Sequence, residues 1–501
     1  MLQLILGRAG SGKTYRIREQ VKQLAEQNTE KVMLLVPEQY SFESEKAMLK
    51  LLGPKQVNKV QVMSFTRLTD MAFRAYGGSG IAKLDDGGRN IFMSLALEEV
   101  KAELEFYVTR VEELIPLMLS VSAELKMCAI APAVLLEMAQ QTEDKKLKQK
   151  LKEVGLILSA YDALVAQSYL DPLDDLQRLK HTFTEHRFFE GYHIYIDSFE
   201  GFTQQEFDLI ELMLSQACEV TVSLSCDTLD NQMGAEVFAR VRHTANVLMR
   251  MARQHHVQVS APIVLEPGIR FATEDLKHLE HQIFRVEKEP LSNVPDAITL
   301  YSGETVYHEA AYIGATIRHL VMNEGYQYQD FAIIARSLDN YRGILDVALE
   351  QYEVPYFMDT PRSVYAEPLM CLVLYALQIL KSNFSSDDMF VYLKTGLAGL
   401  TTYEISLLEN YTFLWNLSGK KWLKEWTSNV DGFVERQTEQ QEKRLEELNQ
   451  LRERAVKPLV RLQKRLKDGD GLIYAKALYQ FLEELDVPSS LQNLSNQLEQ
   501  M

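Results

Sequence analysis

The sequence predicts an α/β protein in which parallel sheets carry large helical insertions. Three observations lead there. Apolar runs of strand length alternate with helical periodicity over residues 1–75. A Gly-rich turn of strict pattern lies between the first run and the first helix. From about residue 85 to about residue 180 the pattern is helical throughout, with no strand-like run.

The first strand is Leu2-Gln3-Leu4-Ile5-Leu6. It runs into Gly7-Arg8-Ala9-Gly10-Ser11-Gly12-Lys13-Thr14, a full match to G-x-x-x-x-G-K-[ST]. Tyr15, Ile17, Val21 and Leu24 then recur at near-helical spacing. Strand, loop and helix in that order are the context a phosphate-binding P-loop requires. Its glycines let the backbone wrap a polyphosphate, and the helix N-terminus adds positive potential. All eight residues, Gly7 to Thr14, are therefore assigned to ATP, with Lys13 on the β/γ-phosphates and the Thr14 hydroxyl on Mg²⁺.

Lys31–Val36 is a continuous apolar strand of the kind found inside parallel sheets. Pro37–Phe42 follows, then a helix from about Glu43 to Leu52. Val57–Met63 is the next strand, leading to Ser64–Leu68 and a further helix. The helical stretch Asp85–Lys180 reads as an insertion, after which strands resume at His193–Asp197 and Glu219–Ser225. A helix at Ala235–Arg253 and a strand near Val257–Val259 complete this part. Residues 286–297 carry two prolines without periodicity and mark a boundary. The expected division is 1–297, with its insertion at about 80–185, and 298–501. The second part opens as another α/β unit to about residue 365: strand Ile298–Tyr301, helix Val306–Asn323, strand Asp330–Ala335, helix Leu338–Gln351 and strand Tyr356–Met358. Beyond Ala366 everything reads as helix, including the charged, solvated stretch Glu435–Lys467.

Composition narrows the class. The 501 residues are 46% hydrophobic and 25% charged, ordinary for a globular protein. No apolar run approaches the ~20 residues of a membrane span, and the N-terminus lacks a basic signal-peptide start. A cytoplasmic location without membrane partners is the expectation. A net charge of −17 argues against a nonspecific coat on nucleic acid, although a locally basic groove stays possible. Cys128, Cys218, Cys226 and Cys371 are scattered without C-x-x-C spacing, so they read as buried, reduced residues rather than metal ligands.

Mg²⁺ needs a second anchor, an Asp at the C-terminal end of a buried strand. Asp197, closing His193-Ile194-Tyr195-Ile196, fits; the alternative is an Asp that merely begins a turn. Motors place a Glu directly after that Asp to polarise the attacking water, and here Ser198 follows, with Glu200 two positions on. The residues thus predict ATP binding with weak or absent hydrolysis, and whether the chain is itself an enzyme is left open.

Assembled, these segments resemble the superfamily 1 helicase fold, and more closely the N-terminal part of the AddB (RexB)-type subunit of bacterial AddAB helicase–nucleases. The resemblance rests on Gly7–Thr14, Val36–Phe42, Val62–Leu68, Tyr195–Glu206, and Phe331–Ser337 with Val354–Phe357, covering most of residues 1–370. It implies two RecA-like parallel-sheet domains, with Arg336 of the second a γ-phosphate sensor. The bland alternative for Arg336 is a surface arginine. The resemblance also places Tyr40, Phe42, Phe65 and Arg67 in regions that touch single-stranded DNA; an aromatic there serves equally well as core. It implies a role in double-strand-break repair by homologous recombination, with DNA (single strand and duplex end) and an AddA-type helicase/nuclease subunit as partners. Recognition of the hotspot sequence Chi comes with the same family.

Departures from active helicases accompany the matches. Position 226 onward reads Cys226-Asp227-Thr228-Leu229-Asp230 where a motor carries Gly-Asp-x-x-Gln, and no motif V or VI appears. The family's C-terminal nuclease domain, with its iron–sulfur cluster, has no match here. A native chain about twice as long is expected. Two other classes remain: a free-standing P-loop NTPase or kinase acting on a small substrate, and a scaffold whose nucleotide only fixes domain arrangement.

Overall fold

The computed structural model describes residues 1–27, 29, 31–78, 80–107, 111–229, 236–266, 268–283, 288–359, 364–433, 438–467 and 470–499. Asp230, Ala235, Val286–Glu287 and Glu435–Gln437, named in the expectations above, lie outside them. The chain forms two compact units, Met1–Tyr301 and Ser302–Met501.

The first unit runs β1 (Leu2–Leu6), α1 (Lys13–Glu26), β2 (Val32–Leu35), α2 (Ser41–Leu52), β3 (Val60–Met63) and α3 (Phe65–Tyr76). Helices α4 (Asp86–Val100), α5 (Val111–Met127), α6 (Pro132–Gln141), α7 (Lys145–Ala166) and α8 (Asp175–His186) follow. The sheet resumes with β4 (His193–Ile196), α9 (Gln204–Gln216), β5 (Glu219–Leu224), α10 (Ala239–Gln254), β6 (Ile263–Val264) and α11 (Glu274–Gln282).

The strands make a six-stranded sheet in the order β3-β2-β4-β5-β1-β6. Every pairing is parallel, with Leu4 opposite Val222 and Leu34 opposite Tyr195. Both faces are covered, and the central strand β2 (Val-Met-Leu-Leu) is accordingly apolar at every position, while β5 alternates Glu219, Thr221 and Ser223 with Val220, Val222 and Leu224. On one face Leu4, Met33, Ile194 and Val222 pack under Phe65, Leu179, Ile210 and Leu248. On the other, Ile5, Val32, Leu34 and Tyr195 meet Ile17, Val21 and Met48. Parallel strands share one C-terminal edge, and there the chain leaves at Gly7, Val36, Ser64, Asp197 and Cys226. Open parallel sheets bind ligands along that edge.

The expected strand near Val257–Val259 contributes only the bridge between Leu2 and Val259, and the ladder beside β1 forms at β6 instead. Two cysteines also depart from expectation, since Cys128 and Cys218 are exposed and only Cys226 is buried.

The helical insertion has its own core of Met93, Leu97, Ile157, Leu158 and Tyr161. A buried carboxylate organises its turn. Glu153, on α7, accepts from the backbone N–H groups of Glu105 (2.9 Å), Phe106 (3.0 Å) and Tyr107 (3.1 Å), and from the Gln149 amide (2.8 Å). Burial alone would raise its pKa, and these donors overcome burial and lower it.

The second unit carries α12 (Val306–Asn323), α13 (Leu345–Gln351), α14 (Pro368–Lys381), α15 (Ser386–Leu393), α16 (Thr402–Leu414), α17 (Glu439–Arg465), α18 (Gly471–Glu484) and α19 (Val487–Glu499). Trp422 and Trp426 sit in its main core with Leu372, Tyr392, Leu408, Leu459 and Phe481. Here the expected strands do not pair into a sheet. Asp330–Ala335 and Tyr356–Met358, and Ile298–Tyr301 at the end of the first unit, form no strand among the described residues. Leu300, Ile334 and Phe357 stand 96%, 93% and 91% exposed. An apolar run favours extended backbone, but a ladder also needs a partner strand, and the described residues supply none.

Candidate nucleotide site

β1 delivers the chain into the Gly-rich loop, and α1 carries it away. The loop turns because Gly10 and Gly12 take φ of 73° and 88°, which residues with a Cβ resist. Gly7 is equally constrained, since a Cβ there would collide with the Ser11 side chain. Gly12 caps α1 without a side-chain acceptor, and no acidic residue occupies the first turn. That leaves the helix's positive end to an outside anion. The Ser11 hydroxyl is buried and has no hydrogen-bond partner among the described residues, an orphan of the kind a ligand satisfies. These features fit a polyphosphate.

Lys13 folds back over the loop, donating to the carbonyls of Gly7 (2.7 Å) and Arg8 (3.0 Å). Its pKa is lowered first by burial, while the Asp197 carboxylate acts in the opposite direction. Arg270 adds to the lowering and Glu280 opposes it. Lys13 and Asp197 therefore feel one another's charge, although Lys13 follows β1 and Asp197 follows β4. Thr14 is half-buried on the first turn of α1. When bound, Mg²⁺ would be held by the Thr14 hydroxyl and Asp197 and would neutralise phosphate charge.

Asp197 is 3% exposed. Its backbone N–H donates to Leu35 O (3.0 Å), and one carboxylate oxygen accepts from the Ser223 hydroxyl on β5. The other oxygen makes no hydrogen bond to the described residues. Ser198 follows in left-handed backbone with φ of 67°, and both Ser198 and Glu200 are exposed. No carboxylate immediately follows Asp197 at this edge.

Arg8 does other work than the motif alone suggests. It is 7% exposed, and its Nε donates to the Glu280 carboxylate at 2.8 Å. The guanidinium also reaches the Glu280 carbonyl, lies 3.9 Å from Asp227 and sits 5.4 Å from the Phe238 ring centre. Arg8 thus ties the loop to α11. The segment leading into α11 lies against the loop as well. Arg270 N–H donates to Gly10 O (3.0 Å), and Phe271 and Ile269 approach Gly10 and Gly12. The exposed Arg270 guanidinium has no ion-pair partner among the described residues. No motif marks it in the sequence, where it is a lone arginine beyond the last strand.

The segments after β2 and β3 stand side by side at the same edge. Ser64 caps α3 by accepting from Arg67 N (3.1 Å) and donates to the Glu38 carboxylate. Arg67 pairs with Glu45 and lies 4.0 Å from Glu38. Tyr40 and Phe42 are 49% and 66% exposed. Phe65 is not available to a base. It is 7% exposed and packs edge-on against Phe199 at 5.8 Å, because α3 turns its apolar face onto the sheet. Arg336 belongs to the second unit, exposed on a segment without a ladder.

Among the described residues, no single helix is long and apolar enough to cross a membrane. Residues 4–280 match the family model for "ADDB, N-terminal". The ATP-dependent helicase/deoxyribonuclease B subunit of Clostridium kluyveri is 30% identical over 508 residues, covering 98% of this chain and 44% of that protein. Proteins of the same name from Clostridium acetobutylicum and Clostridioides difficile are 29% and 28% identical, over 99% and 98% of this chain and 44% of their own lengths. The chain thus spans under half the length of these relatives. A match to the family model over more than half of its residues shows that the chain belongs to the family of AddB-type subunits.

Proposed function

We propose that this chain is the ATP-binding, helicase-like part of a subunit that processes DNA double-strand breaks in the cytoplasm. One observation carries the reading: a Gly-rich loop shaped for phosphates shares its sheet edge and its electrostatics with the strand-end carboxylate Asp197. ATP is held by Gly7–Thr14, with Arg270 approaching the phosphates, and Mg²⁺ by Thr14 and Asp197. Arg336 is assigned as γ-phosphate sensor, and a second RecA-like domain is expected, by the family resemblance alone. Single-stranded DNA lies on Tyr40, Phe42 and Arg67. The relatives are named as one subunit of an enzyme, which supports a partner. That partner is proposed as an AddA-type helicase/nuclease, with Chi recognition on the exported strand.

Ser198 in the water-polarising position supports slow turnover, because no general base immediately follows the metal-binding carboxylate. Steady-state ATP hydrolysis by the purified chain with single-stranded DNA tests this. The reading expects a rate below about 1 s⁻¹, an ordinary lower bound for working enzymes. Faster turnover that Lys13→Ala abolishes would overturn the inactivated-motor part.

A further inference from the structure

The start of α7 reads Lys145-Lys146-Leu147-Lys148-Gln149-Lys150-Leu151-Lys152, five lysines in eight residues of a chain whose net charge is −17. All five are exposed, and none has an ion-pair partner among the described residues. Of the nearby carboxylates, Glu137 and Glu143 are exposed and pair with no lysine of the array among the described residues. Asp144 accepts from the backbone of Lys146 and Leu147, Glu153 is committed to the turn at 105–107, and Glu105 alone lines the groove described next.

Two features make the array costly to the fold itself. Cations at a helix N-terminus oppose the helix dipole, and against five lysines α7 has the single capping carboxylate of Asp144 and no acidic residue in its first turn. Lys145 and Lys148, Lys146 and Lys150, and Lys148 and Lys152 also stand three or four residues apart, where like charges repel. Packing does not need these ammonium groups, since the buried face of α7 is Ile157, Leu158, Tyr161 and Val165.

The array borders a groove of about 760 Å³ lined by Phe106, Leu136, Lys145, Lys148, Gln149 and Lys152. Lys145, Lys148 and Lys152 fall on one side of the helix and span about 10 Å at 1.5 Å per residue. With one phosphate about every 3.4 Å of axis on each strand of a duplex, that length covers about three phosphates. Ammonium groups are point charges suited to phosphate oxygens, and with one aromatic at its edge the groove offers no platform for successive unstacked bases.

We infer that the α6–α7 face of the helical insertion is a duplex-DNA backbone site, separate from the sheet edge that takes nucleotide and single strand. The inference rests on the DNA-handling reading above and adds a second binding surface to it. Local positive potential attracts DNA even though the chain as a whole is acidic.

The test is fluorescence anisotropy of a labelled 30-base-pair duplex with the whole chain from 50 to 200 mM salt. A variant with Lys145, Lys146, Lys148 and Lys152 all changed to Gln is compared, after circular dichroism shows its helix content unchanged. Each phosphate no longer neutralised should flatten the log–log salt dependence by about 0.9. The expected result is a slope shallower by up to about 3.6 and affinity at least tenfold weaker at 100 mM salt, with ATP binding unchanged. Equal affinity and slope in both proteins would overturn the site while leaving the DNA reading intact. Failure of the unmodified chain to bind duplex or single strand would overturn both. Lysine-dependent binding of polyglutamate with duplex binding unchanged would assign the array to an acidic protein and overturn the inference.

Discussion

Replacing Arg8 with alanine should release α11 from the phosphate loop. The Arg8 guanidinium is 8% exposed and the Glu280 carboxylate 15%, so their 2.8 Å pair is largely out of water. Breaking a buried pair by removing one partner costs about 3–5 kcal/mol, because the survivor is left charged and unpaired. The residual exposure of Glu280 argues for the lower part of that range, and removing the cation from the Phe238 ring adds roughly 0.5 kcal/mol. A local cost of about 3 kcal/mol is a change of roughly 150-fold in the opening equilibrium. Hydrogen exchange reads it directly. Amides of α11 should lose about two decades of protection in Arg8→Ala, while those of β1, β4 and β5 keep theirs. Glu280→Ala in that background should cost little more, since it removes the stranded charge, giving strong non-additivity. Protection reduced less than threefold, or additive single and double variants, would refute the bracket.

Other outcomes follow from the same geometry. Arg270→Ala should weaken ATP about tenfold or more, the worth of one charged hydrogen bond, with α11 protection retained; unchanged affinity in calorimetric titration would remove Arg270 from the site. Tyr40→Ala and Phe42→Ala should each weaken single-stranded DNA binding by roughly 5-fold to 150-fold, as base stacking is worth about 1–3 kcal/mol. Phe65→Ala should instead lower stability by about 3 kcal/mol through a core cavity, and a selective DNA defect without unfolding would reverse that assignment. Glu153→Gln should loosen the turn at 105–107 by about 2 kcal/mol at neutral pH. The folded Glu153 pKa is lowered, so its stabilisation is present above the unfolded carboxyl value near 4.3 and disappears as pH falls through the folded one. Exchange at Glu105–Tyr107 should therefore differ between the two proteins at pH 7 and converge in acid; an equal difference throughout would contradict it.

Much of the first unit was legible because its signals are local. Leu2–Leu6, Val32–Leu35 and His193–Ile196 read as strands since a sheet covered on both faces needs uninterrupted apolar runs. The loop was legible because phosphate wrapping demands glycine at fixed spacing. What escaped depends on distant partners. Phe65 reads equally as stacker or core, and Phe199 on another connection decides it. Arg270 meets Gly10 from the far end of the unit, with no spacing rule to announce it. Arg8 carries a motif's expectation, but its side chain is committed to Glu280. In the second unit the apolar runs have strand composition, yet Ile334 and Phe357 remain bare because composition cannot supply a neighbour.

The most direct measurement is a calorimetric titration of Mg²⁺–ATP into the purified chain, repeated with Lys13→Ala and Asp197→Asn. The account predicts one saturable site, lost or weakened at least about 50-fold without Lys13, the scale of a buried charge-assisted interaction. Asp197→Asn should reduce the gain that Mg²⁺ gives. Binding that ignores both substitutions, or no binding by the unmodified chain, would contradict a nucleotide held at this sheet edge.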